Sequence, residues 1–165
     1  MDSVGRIGLI VTHLQNEVER MFEYDFSFDD ILSSDAVKKE GILFDDNRFS
    51  FESYWENGIN HYERLFYTNE NGEKIPFSGL LYELYPNGSM HGYCFYKSGY
   101  EDGQNVDFYD NGVISKYVFT NNDSFETLII KWSKNNIIQE ISVIHKGIQK
   151  KHIQYDESGN IVKED

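Results

Sequence analysis

Between residues 80 and 123 one pattern is written almost twice, and it constrains the fold more than any other feature. Leu84-Tyr85-Pro86-Asn87-Gly88-Ser89-Met90 is followed by Phe108-Tyr109-Asp110-Asn111-Gly112-Val113-Ile114. An aromatic residue beside an Asn-Gly pair, set between alternating apolar and polar residues, is a strong local signal for a β-hairpin. The step from Asn87 to Asn111 is 24 residues, and it recurs at Asn135; Leu84, Phe108 and Trp132 keep the same spacing.

Superposing the copies assigns two faces. Before the turn, Tyr82/Val106/Ile130 and Leu84/Phe108/Trp132 are apolar in every copy, with Glu83/Asp107/Lys131 between them on the other side. After the turn, Met90/Ile114/Ile138, Tyr93/Tyr117/Ile141 and Phe95/Phe119/Val143 align. Side chains alternate across a strand, so these sets predict one buried face running through successive hairpins. A lone hairpin buries too little to be stable, whereas stacked copies share one core. The expected fold is therefore mainly β, an antiparallel meander of repeated hairpins in one elongated twisted or rolled sheet.

The repeat is less regular at its ends. Tyr54-Trp55-Glu56-Asn57-Gly58-Ile59 is a first copy, standing 30 residues before the second; a polar insertion from Asn69 to Lys74, closed by Pro76, accounts for the excess. Asn-Gly becomes Asn135-Asn136 in the fourth copy and Ser158-Gly159 in a final half-copy. Gly99 and Gly147 mark turns between hairpins, and Asp123 occupies the equivalent place in the third copy. Residues 1–48 do not follow the repeat. Arg6 to Thr12 reads as a strand, and the period-2 alternation of Val18, Phe22, Tyr24, Phe26 and Phe28 favours a strand over a competing helical stripe. Asp29 to Lys39 has room for one short helix, with Gly41 just past its end. This gives an N-terminal non-repeat segment, 1–48, packing on a hairpin array, 49–165, in one cooperative domain.

Charge narrows the partners. The chain carries 15 basic and 28 acidic side chains, a net charge of −13, which disfavours nucleic acid and anionic membranes and favours a basic macromolecule. Residues 1–60 hold 13 acidic and 5 basic side chains, for −8, while Lys131, Lys134, Lys146, Lys150 and Lys151 make a basic stretch near the end. The single cysteine, Cys94, allows no internal disulfide and fits a reducing compartment. With an early acid at Asp2 and no basic leader, the N-terminus does not read as a signal peptide, so a cytoplasmic location is expected.

The period, the segments Tyr85-Pro86-Asn87-Gly88 and Tyr109-Asp110-Asn111-Gly112, and the leading Phe77-Ser78-Gly79 resemble MORN repeats, a family of short β-hairpin units built around Tyr-x-x-Gly. The likeness is to the divergent bacterial branch often assigned to antitoxin and immunity proteins, and covers about residues 49–162. It departs from the family pattern in the second half of each copy. What the resemblance implies is an immunity protein that binds and neutralises a cognate bacterial toxin with a basic surface, such as a nuclease. The alternative is a MORN-type scaffold that joins proteins or docks on membranes.

No phosphate-binding, zinc-protease or serine-hydrolase motif is present, and the five His are scattered. No catalytic, cofactor-binding or metal-ligating residue is expected, and the chain does not read as an enzyme. The adjacent carboxylates Asp29-Asp30, Asp45-Asp46 and Glu101-Asp102 read as solvated turns. Partner binding has the better physical case, since aromatic residues supply contact area and alternating carboxylates complement a basic cleft. The candidate contact residues are Trp55, Glu83, Tyr85, Tyr100, Glu101, Asp102, Asp107, Tyr109 and Asp110, with Tyr85 and Tyr109 at turn edges.

Overall fold

A computed structural model describes residues 31–44, 47–56 and 59–165, without the side chains of 54–62. The strands expected at 6–12 and 18–28 and the carboxylates at 29, 30, 45 and 46 lie outside the described residues, as does the side chain of Trp55. Ser34–Asp165 forms one compact unit, the one described below.

The unit begins with a single helical stretch, α1 (Ser34–Glu40), and continues as strands. Asp35 in the first turn and Lys38 and Lys39 in the last complement the helix dipole. Val37 is buried, and its carbonyl accepts the Gly41 N–H at 2.8 Å, closing the helix where the sequence predicts a stop. The strands are β1 (Ile42–Leu43), β2 (Phe49–Glu56), β3 (Ile59–Thr68), β4 (Lys74–Pro76), β5 (Gly79–Leu84) and β6 (Met90–Lys97). They continue with β7 (Tyr100–Phe108), β8 (Ile114–Asn121), β9 (Glu126–Trp132), β10 (Ile138–His145), β11 (Ile148–Tyr155) and β12 (Ile161–Glu164).

From β5 onward the chain is the expected meander of antiparallel hairpins. These eight strands lie in sequence order in one nine-stranded sheet, with β1 added in parallel beside β5. The register brings the superposed residues together: Tyr82, Tyr93, Val106, Tyr117, Ile130, Ile141 and Ile153 are successive cross-strand partners. From Tyr93 to Ile153, each of these is no more than 2% exposed. Burial of each such side chain contributes roughly 1.5–3 kcal/mol, so this one row supplies much of the array's cohesion. Leu84/Met90, Phe108/Ile114 and Trp132/Ile138 pair beside the turns as the alignment predicts.

The hairpin turns share one geometry. Tyr85 N–H donates to Ser89 O at 2.9 Å and Gly88 N–H to Tyr85 O at 2.8 Å, a three-residue loop in which Gly88 takes φ +82°. The same bond pair recurs at Tyr109, Ser133 and Asp156, and also at Asn69 in the polar insertion. Asn136 fills the glycine position of the fourth copy at φ +60°, as asparagine tolerates. One extra residue follows each turn as a bulge: His91, Ser115, Gln139 and Val162 lie where the register shifts. The bulge is what lets Met90 and Tyr93, three residues apart, both face the core.

The first copy differs from the expected single sheet. Strands β2, β3 and β4 form their own three-stranded sheet, because the insertion folds as a hairpin and Pro76, with no N–H to donate, ends it. Two devices join the sheets. Phe49, Leu65, Phe77 and Leu81 form a shared core flanked by Phe44, Tyr67 and Tyr96, with the Phe49 and Phe77 rings edge to face at 5.2 Å. Beside it runs a closed ring of backbone hydrogen bonds: Leu65 N–H to Gly99 O at 2.8 Å, Gly99 N–H to Phe77 O at 2.6 Å, and Phe77 N–H to Leu65 O at 2.9 Å.

At the opposite end of the strands, Ser98-Gly99 and Lys146-Gly147 form two-residue turns with positive φ at both positions. The turn between β8 and β9 is longer, and its left-handed residue is Phe125 rather than Asp123.

Candidate functional site

The polar row opposite the core is a strip of charge. Glu83, Gly92, Asp107, Lys116, Lys131, Glu140 and Gln154 are successive partners from β5 to β11. Lys116 and Lys131 stand opposite each other, and each is compensated by its other neighbour: Asp107 lies 3.6 Å from Lys116 and Glu140 lies 3.1 Å from Lys131. The strip is therefore balanced toward β10 and acidic toward β5.

At the acidic end, Glu83, Glu101 and Asp107 border an open cleft walled by Phe44, Phe51 and Tyr96. Gly92 forms its floor between Glu83 and Asp107. A Cβ there would come within 2.9 Å of Val106 O and of Asp107 Oδ1, so the strands approach too closely for any side chain. Glu83 lies 3.5 Å from His91 Nδ1, and the His91 ring packs at 4.6 Å on Tyr85. Glu101 accepts from Asn105 Nδ2 at 3.2 Å. Cys94 also lines the cleft; burial, and after it the neighbouring Glu101 carboxylate, pushes its thiol well above the ordinary range. Burial raises the Tyr96 hydroxyl likewise.

The candidate contact residues divide between this strip and the fold's own bonding. Glu83, Glu101 and Asp107 meet at the cleft. Tyr85 and Tyr109 have structural tasks: the Tyr85 hydroxyl donates to Phe108 O at 2.7 Å and the Tyr109 hydroxyl to Trp132 O at 2.8 Å. Each pins its hairpin to the residue before the next turn, one repeat along. Asp110 pairs with Lys134 at 3.1 Å, and that ammonium also sits 5.6 Å over the Tyr109 ring. Tyr100 lies under the Arg64 guanidinium at 5.4 Å, and Arg64 Nε donates to Ser98 O at 2.9 Å. Asp102 stands 3.8 Å from Lys97 and accepts the Asn122 N–H at 3.3 Å.

A polar network that residue types alone did not reveal lies farther along the same face. Ser142, 4% exposed, has its Oγ 2.9 Å from His152 Nδ1 and 3.3 Å from Glu140 Oε1. The carboxylate meets the serine rather than the imidazole, an order unlike that of a hydrolase triad, in which it holds the histidine. Its sequence signal is the register: Ser142 and His152 are cross-strand partners ten residues apart. His145 faces Glu126 at 3.6 Å. Among the described residues, no cluster of His, Cys, Asp and Glu has the geometry to hold a metal ion, and no helix is long and apolar enough to cross a membrane.

The ion-paired strip thus leads to an acidic, aromatic-walled cleft. The chain is similar to Immunity protein YwqK of Bacillus subtilis (strain 168), 38% identical over 68 residues, a stretch covering 41% of this chain and 38% of that protein. The chain thus matches well under two thirds of its relative's length. No family model matches the chain, so the resemblance to MORN repeats rests on its hairpin residues alone. No solved structure matches it either.

Proposed function

We propose that this chain is an immunity protein, which binds a cognate bacterial protein toxin and holds it inactive. The observation that carries the reading is the likeness to Immunity protein YwqK. Two physical features support it. A hairpin array with a continuous buried row is a rigid platform, so little ordering entropy is lost when a partner docks. The acidic end of the polar strip, on a chain of net charge −13, complements a basic partner. A toxin that cleaves nucleic acid fits this best, because it must present positive charge to hold phosphates. In this reading Glu83, Glu101 and Asp107 are the carboxylates that meet such a surface. Tyr85, Tyr109 and Tyr100 act in this reading as the supports that fix the strip's shape.

The test is co-purification with the product of the adjacent upstream gene, expressed with an affinity tag only on that product. A stable complex on size exclusion, weakened by added salt, is the expected result. A chain that elutes alone, with that product and with the downstream one, overturns the proposal.

A further inference from the structure

The turn between β8 and β9 presents an aromatic residue in a way that folding alone does not explain. Phe125 has φ +57° and is 66% exposed, the highest value among the large hydrophobic side chains of the described residues. A bulky residue is disfavoured in the left-handed region, where glycine or asparagine ordinarily stands. Among the described residues, the other left-handed positions are glycines, Ser98, Asn136 and Lys146. Phe125 takes on this strain without recovering it through burial. Strain held in place at an exposed position is a mark of function rather than of stability.

The surrounding turn holds it there. Asn121 Oδ1 accepts the N–H groups of Asp123 and Ser124 at 3.0 and 3.1 Å. Asn122 Nδ2 donates to Glu101 O at 2.8 Å, and the Lys146 N–H donates to Phe125 O at 2.8 Å. Ile148, itself 61% exposed, lies just across the Lys146-Gly147 turn.

The charges around this tip give it a direction. Of the lysines after residue 130, Lys131, Lys134, Lys151 and Lys163 are each paired with a carboxylate of the chain. Lys146 and Lys150 form no ion pair among the described residues. Lys146 adjoins Phe125, and Lys150 is the extra residue at the register shift of β11. On the other flank, the loop is bonded to the Asp102 carboxylate and to the backbone carbonyl of Glu101.

We propose that Phe125, at the same end of the sheet as Ile148, is the anchor that enters an apolar socket on the toxin; this rests on the immunity reading above. The socket is basic where it meets Asp102 and acidic where it meets Lys146 and Lys150, so the flanking charges fix the orientation in which the ring enters. Buried aromatic anchors of this kind dominate interface energetics.

The discriminating variant is Phe125→Gly, which relieves the backbone while removing the ring. The full chain and its variants are titrated against the purified upstream gene product, and each is melted alone. An anchor predicts affinity weaker by at least about tenfold with a melting temperature unchanged or raised. Lys150→Glu should weaken binding several-fold without altering the melt. A structural phenylalanine would instead lower the melting temperature of Phe125→Gly, and that result overturns the inference. So does binding by Phe125→Gly within twofold of the parent, which leaves the immunity reading standing. Failure of the parent chain to bind overturns both.

Discussion

Replacing Gly99 by Ala tests the junction between the two sheets. Gly99 has φ +85°, which costs a residue with a Cβ roughly 1–2 kcal/mol. The added methyl would also meet Leu65 O at 2.7 Å and Arg64 Cγ at 2.6 Å. Arg64 has a flexible side chain and can move. Leu65 O cannot, because it already accepts the Phe77 N–H within the closed ring of three backbone bonds. Relieving that overlap requires the β2–β3–β4 sheet to shift, an overpacking cost of roughly 1–3 kcal/mol. The sum, about 2–5 kcal/mol, corresponds to a fall in melting temperature of roughly 4–20 °C for a chain of this size. Gly112→Ala is the control: its φ is +82°, but nothing lies within 4 Å of the added carbon. Only the backbone cost applies there, a fall of roughly 2–8 °C. Calorimetry of the two variants side by side isolates the steric contribution. Equal melting temperatures would refute the idea that Gly99 is required for close approach between the sheets.

Tyr85→Phe and Tyr109→Phe each remove one repeat-to-repeat hydrogen bond, and each should cost about 1 kcal/mol in denaturant unfolding. Asn136→Gly places glycine where the sister turns have it, and should raise stability by a few tenths to about 1 kcal/mol in the same assay. The Cys94 thiol, raised by burial, should be alkylated by iodoacetamide at pH 8 far more slowly than a free cysteine; equal rates would contradict its burial. Asp156 accepts the side-chain and backbone N–H groups of Asn160, which lowers its carboxyl below the usual range. A depressed folded-state value means that its contribution is present above the ordinary carboxylate range and lost as pH falls through the folded value. Amide protection factors in the β11–β12 hairpin, corrected for the intrinsic pH dependence of exchange, should therefore fall at acid pH, and Asp156→Asn should remove most of that dependence.

The core row was legible because a 24-residue repeat superposes residues whose faces are already paired by alternation, so Tyr82, Val106 and Ile130 identify one another. The bulges were also written in the sequence, since Met90 and Tyr93 can share a face only if one residue between them is extra. The separate first sheet was less legible: the Asn69 to Lys74 insertion looked like a decoration of one hairpin, but carries the same turn as the main repeats and so folds as a hairpin itself. The roles of Tyr85 and Tyr109 depend on which carbonyl lies one repeat away, a distance in space that spacing in sequence does not give. Phe125 was hidden for a related reason. Its strain is a backbone angle, and the sequence pointed to Asp123 as the turn residue because it stands 24 residues from both Gly99 and Gly147. The acidic cleft was half visible: Glu83 and Asp107 share a strip by periodicity, whereas Glu101 joins them through the register shift between β6 and β7.

The most direct measurement is growth of cells expressing the upstream gene product, with and without this chain. The account predicts that the product alone arrests growth, that the chain restores it, and that reversing Glu83, Glu101 and Asp107 to Lys abolishes the rescue while the purified variant still melts cooperatively. Growth arrest that persists with the well-folded parent chain present would contradict the account at its centre.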